Sequence, residues 1–130
     1  MATATPTTRR LLTEVELELM TILWRLGQGT VAEVLAELPS ERRLAYTSVS
    51  TVLRILERKG LLRAQKAGRG HVYVPTVSKE KYEVRALEHV IGKVFDGAPV
   101  ALVRRLVESS SRSDSELDEI RALLRKRARA

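Results

Sequence analysis

The sequence predicts a mainly α-helical protein with one small β-hairpin: three short helices, the hairpin, then a separate helical lobe. Three observations predict it. Apolar residues recur at steps of three and four through most of the 130 residues, as they do on a helix with one buried face. The pattern Ser/Thr-x-x-Glu, which caps a helix start reciprocally, stands ahead of three such runs: Thr13 with Glu16, Thr30 with Glu33 and Ser113 with Glu116. Only "LLRAQKAGRGHVYVPT", residues 61–76, changes to strand-like segments, on either side of "KAGRG".

The first ten residues, "MATATPTTRR", lack the apolar core of a signal peptide and read as a disordered tail. Thr13 then opens a helix whose inward stripe is Val15, Leu19, Ile22, Leu23 and Leu26. Leu12 and Leu17 are placed for a hydrophobic staple, and Gly27 stops the helix. Trp24 is expected at the edge of this core. A second helix starts at Thr30, turns Val34, Leu35 and Leu38 inward and ends before Pro39. "SERRLA" connects it to a third helix from about Ala45 to Lys59, stopped by Gly60.

In the hairpin, Gly68 and Gly70 permit the positive φ values of a tight turn. Leu62, Ala64, Val72 and Val74 are expected on its buried face, with Arg63, Gln65 and Tyr73 on the other. A short strand near Thr30–Val31 is placed to pair with it. Three helices followed by a two-stranded wing, over residues 11–77, make a winged helix-turn-helix.

Residues 78–130 read as three further helices. Ser78 caps one of about 79–94, in which Val84, Leu87, Ile91 and Val94 step by 3, 4 and 3 like a coiled-coil seam. "FDGAP" breaks it, and Pro99 suits the first turn of a short helix carrying Val100, Val103, Leu106 and Val107. The last helix bears the stripe Leu117, Ile120 and Leu124, with acids at its start and "RKRAR" at its end, as the helix dipole favours. Such narrow stripes bury little surface alone. The lobe is therefore read as a dimerisation lobe; packing of these helices back onto the winged helix of a monomer is the alternative.

The formal charge of +7 is unevenly placed. Residues 1–39 carry 3 basic and 5 acidic side chains, whereas residues 40–75 carry 8 and 2, a net +6. A concentrated basic region suits a polyanion, nucleic acid first. The chain has no cysteine, which excludes disulfides, thiolate metal sites and a cysteine nucleophile. Its two histidines, His71 and His89, have no metal-ligand spacing, and no glycine-rich phosphate loop follows a strand. No catalytic residue, metal or cofactor is expected, and no run is long and apolar enough for membrane insertion.

The third helix carries the functional expectation. At about 100° per residue, Val49, Val52, Leu53 and Leu56 gather on one side and Thr47, Thr51, Arg54 and Arg58 on the other, with Ser48 and Ser50 flanking. A face that meets only water usually pairs Glu with Lys. Hydroxyls and arginine at the start of the third helix instead suit base edges in a major groove. Thr47, Ser48, Ser50, Thr51 and Arg54 are thus candidate base readers. Arg42, Arg43 and Arg58, with Lys66 and Arg69 of the wing, are candidates for the phosphate backbone. His71 lies beside them, either on phosphate or as a plain strand residue.

The stretches "LTEVELELMTILWRLGQGTVAEVLAEL", "AYTSVSTVLRILERKGLL" and "GRGHVYVP" together resemble the BlaI/MecI penicillinase-repressor family, over about residues 11–124. The resemblance implies a homodimeric, cytoplasmic bacterial repressor that binds palindromic double-stranded operators and is released through a membrane sensor metalloprotease. It puts the family's recognition-helix positions on Thr47, Ser48, Ser50, Thr51 and Arg54. The scissile Asn-Phe pair of staphylococcal members falls on Arg105 and Leu106, whose types differ, which argues against release by that cleavage. A copper-sensing branch uses a cysteine cluster that this chain lacks. A winged-helix protein-interaction module, or an architectural DNA-binding protein without sequence choice, is the alternative reading.

Overall fold

The computed structural model describes residues 11–109 and 112–129; the expected N-terminal tail lies outside them. The elements run α1 (Glu14–Leu26), α2 (Val31–Ala36), α3 (Tyr46–Arg58), β1 (Leu62–Ala67), β2 (Gly70–Pro75), α4 (Lys79–Lys93), α5 (Pro99–Glu108) and α6 (Asp114–Arg129). All three capping boxes form. The Thr13 and Thr30 hydroxyls accept from the amides of Glu16 and Glu33, whose carboxylates accept from the threonine amides in return. Ser113 and Glu116 do the same ahead of α6.

The chain divides into two compact units, one running to His89 and the other starting at Val90. In the first, α1, α2 and α3 close around Leu19, Met20, Leu23, Val34, Val49, Leu53 and Leu56, all fully buried. Leu61, Leu62, Tyr73 and Val77 complete this core from the hairpin side. Met20 was absent from the expected stripe. Leu26, expected inside it, is 40% exposed, because α1 ends there and Gly27 turns the chain away at φ +91°.

The hairpin is antiparallel, and its register pairs Leu62 with Pro75, Ala64 with Tyr73 and Lys66 with His71. Directly paired residues share a face. Tyr73 therefore lies on the core side with Leu62 and Ala64, and Val72 and Val74 lie on the other with Gln65 and Arg63. This reverses the expected phase of β2. The added strand forms as a single bridge, one residue earlier than expected: Gly29 and Tyr73 exchange both backbone hydrogen bonds, at 3.1 and 2.8 Å. That bridge fixes the phase. At the turn only Gly68 takes a positive φ, +61°; Arg69 and Gly70 do not, which matches a two-residue II′ turn.

The first half of α4 is clasped to the same unit. Trp24 Nε1 donates to the Val77 carbonyl at 2.8 Å, its ring packs 5.7 Å from that of Tyr82, and the Tyr82 hydroxyl accepts from the Leu12 amide at 3.0 Å. The second unit contains the end of α4 with α5 and α6. Among the described residues of α5 and α6 none is buried. Val94, Val100 and Leu123 are each 66% exposed.

Candidate nucleic-acid interface

α3 differs from its neighbours at its first turn. Its N-cap is Ala45, which supplies no side-chain hydrogen bond, and its first turn holds no acid. In α1 and α2 a threonine and a glutamate satisfy the start of the helix; in α3 the positive end of the dipole is left for something else. Thr47, Ser48 and Thr51 are exposed there, with Ser50 half-buried. The hydroxyls of α3 are therefore not spent on its own cap. One turn on, Arg54 is exposed, and Arg58 follows it on the same side.

The buried side of the helix holds this face in place. Val49, Leu53 and Leu56 are fully buried, with Val52 packed against them. At the C-terminal end Lys59 Nζ donates to Glu16 Oε2 at 2.6 Å, while Oε1 of the same carboxylate accepts from the Thr13 amide at 3.0 Å. One glutamate thus caps α1 and anchors the end of α3. Burial would raise the Glu16 pKa, but the Lys59 ammonium and the Thr13 contacts outweigh it and hold the carboxyl below its ordinary value. The turn after α3 is tied by Thr76 Oγ1, which donates to the Gly60 carbonyl at 2.6 Å.

A groove of about 420 Å³ runs between α3 and the wing, lined by Tyr46, Ser50 and Arg54 of α3, Thr30 and Ala32 at the start of α2, and His71 of β2. Tyr73 closes its floor. Burial pushes the Tyr73 phenol above its ordinary pKa; Glu57 and Tyr46 act in the same direction and Arg54 opposes them. The phenol is thus a neutral hydroxyl at physiological pH. Tyr46 is 54% exposed at the start of α3, and nothing in the sequence sets it apart from an ordinary helix start.

The expected backbone contacts divide. Arg43, Arg58, Lys66 and Arg69 are exposed. Arg42 is instead drawn to α1, where its Nε donates to both oxygens of Glu18, at 3.0 and 3.2 Å. No signal in the sequence links two residues 24 apart in that way.

The model of the penicillinase repressor family matches residues 12–126. The chain belongs to the penicillinase repressor family. That is a family of repressors, not of enzymes. A penicillinase repressor of Bacillus licheniformis is 26% identical over 113 residues, covering 87% of this chain and 88% of its own length. The methicillin resistance regulatory protein MecI of Staphylococcus aureus (strain N315) is 23% identical over 116 residues, covering 89% and 94%. The solved DNA-binding domain of the repressor BlaI is 28% identical with a TM-score of 0.50, covering 63% of this chain and 94% of that one.

In this member of the penicillinase repressor family, the apolar positions expected to form the dimer contact are largely uncovered. Val84, Leu87, Val94, Val103, Leu106 and Leu124 are exposed, and Ile91, Leu117 and Ile120 are half-buried. Arg105 and Leu106 sit inside α5, both exposed, with Arg105 3.6 Å from Glu108. Among the described residues no helix is long and apolar enough to cross a membrane.

Proposed function

We propose that the chain is a homodimeric, sequence-specific DNA-binding repressor that acts in the cytoplasm on palindromic operators. The observation that carries this reading is the free first turn of α3. A helix anchored at both ends of its apolar side presents Thr47, Ser48, Ser50, Thr51 and Arg54 around a start that no cap and no acid occupies. Hydroxyls and a guanidinium in that position can read base edges once the helix lies in a major groove. The uncapped amides favour a phosphate beside them.

Arg43, Arg58, Lys66 and Arg69 then contribute backbone contacts, which set affinity and salt dependence without reading sequence. Arg42 assists indirectly: its ion pair with Glu18 fixes the connection that leads into α3. Two copies joined through Val84, Leu87, Ile91, Val94, Val103, Leu106, Leu117, Ile120 and Leu124 would set two α3 helices on successive major grooves. Half-sites then lie about one helical turn apart, or a multiple of it. The family resemblance would make a membrane sensor metalloprotease the releasing partner, and the departure of Arg105 and Leu106 from the family's scissile Asn-Phe pair argues against that route. A cut at Arg105–Leu106 would require α5 to unwind locally, since both residues are helical.

A gel shift tests this reading, with duplex DNA from upstream of the chain's own gene against a scrambled duplex of equal composition, over a salt series. A clear preference for the first that persists as salt rises is the expected result. Equal retardation of both at every salt concentration would favour an architectural role instead.

A further inference from the structure

Tyr73 combines a buried ring with an unpartnered hydroxyl. The residue is 4% exposed, and its backbone is held by the bridge to Gly29. Among the described residues the phenol oxygen makes no hydrogen bond to the protein. Yet no sealed side-chain oxygen or nitrogen there lacks a partner. The oxygen is therefore the open part of the side chain, and it opens on the groove that Tyr73 floors between α3 and the wing. Buried tyrosine hydroxyls usually find a partner. This one takes its partner from whatever enters the groove.

The walls say what that is. Ser50 and Arg54 line the groove from α3 and His71 from β2. The hairpin register sets Lys66 directly opposite His71, on the face that carries Tyr73. Glu57 also acts on the phenol, but no acid lines the groove. Two fixed cations and neutral donors, with no carboxylate among them, suit a ligand that only accepts hydrogen bonds and is negatively charged. A neutral phenol donates to such a ligand without burying a charge of its own.

We infer that the groove is a seat for one phosphate group: Tyr73 Oη donates to it from the floor, Ser50 and His71 flank it, and Arg54 and Lys66 supply charge from the sides. The phosphate is a diester of duplex DNA or a free phosphate. As a DNA contact the seat rests on the proposed reading of α3 and deepens it, because a phosphate held at the floor sets how far α3 enters the major groove. As a site for free phosphate it would compete with DNA.

Tyr73→Phe keeps the ring and removes only the oxygen. Since that oxygen has no partner in the protein, the variant should be no less stable in urea; a clear loss of stability would overturn the unpartnered hydroxyl and the seat with it. For the DNA source, single phosphates of a selected and a scrambled duplex are replaced in turn by neutral methylphosphonate, and binding is read by fluorescence anisotropy. Tyr73→Phe should bind every intact duplex about ten-fold more weakly, with an unchanged salt slope because no charge is removed. One replaced position in each half-site should weaken the wild type and cost the variant nothing further. Identical losses for both proteins at every position would overturn the DNA seat. For the free source, inorganic phosphate replaces chloride at constant ionic strength while the labelled tyrosine rings are followed by NMR. A saturable shift at Tyr73 assigns free phosphate, and silence in both arms overturns the seat altogether. Equal wild-type affinity for selected and scrambled duplexes would instead overturn sequence reading by α3, while both arms still report on the seat.

Discussion

Glu16→Gln perturbs one atom and separates two roles that the wild-type carboxylate combines. Glutamine keeps an Oε1 that can accept from the Thr13 amide, so the cap on α1 survives. What is lost is the charge facing Lys59 Nζ at 2.6 Å. The Glu16 side chain is 8% exposed and Lys59 28%, so part of the lysine's hydration offsets the loss of the Glu16 charge. The loss is then below that of breaking a fully buried pair and near that of a charge-assisted hydrogen bond, about 1.5–3 kcal/mol. Urea unfolding followed by far-ultraviolet circular dichroism at pH 7 measures it.

The same pair sets a pH dependence. The folded pKa of Glu16 lies below its unfolded value, ordinarily about 4.3, so the folded state binds this proton less readily. Its stabilisation is complete above the unfolded value and is lost as pH falls through the folded one. The gap between wild type and Glu16→Gln should therefore be largest at neutral pH and close on acidification below about pH 4. A gap that stays constant from pH 7 to pH 3 would refute the ionic account of this anchor.

Four further outcomes follow from the geometry. Arg54→Ala should lower affinity for the selected site by about 1–3 kcal/mol and relax base preference, as seen by fluorescence anisotropy on matched and single-substituted duplexes. Arg69→Ala should weaken all sequences alike and reduce the slope of log affinity against log salt by about one. Leu87→Asp, on an exposed seam position of α4, should leave the circular dichroism spectrum intact and shift sedimentation toward the monomer. Trp24→Phe keeps a ring beside Tyr82 but removes the donor to the Val77 carbonyl, and should destabilise the first unit by about 1 kcal/mol in urea.

Local signals made most of the fold legible. A capping box and an apolar period are written within four to seven residues, and α1, α2 and α6 begin where Thr13, Thr30 and Ser113 say they must. What escaped depends on residues far apart in the chain. The phase of β2 is not legible locally, because alternation in "HVYV" allows either face and the choice is made by the Gly29–Tyr73 bridge, 44 positions apart. The anchor between Glu16 and Lys59 and the pair between Arg42 and Glu18 are of the same kind. That the outer face of α3 is unusual for a solvated helix is readable, because Thr47, Ser48, Thr51 and Arg54 are exposed residue types that are poor choices for water. Tyr46 and the groove it shares with His71 are not, since only the folded wing brings them together.

The most direct measurement of the central claim is selection of binding sites from a pool of randomised duplex DNA by the full chain, with Arg54→Ala run in parallel. Enrichment of a two-fold symmetric site whose half-sites are spaced by about one helical turn or a multiple of it is expected, with loss of at least one specified base in each half-site for the variant. Enrichment of no motif, or of one identical for wild type and Arg54→Ala, would contradict base reading by Arg54 on the exposed face of α3.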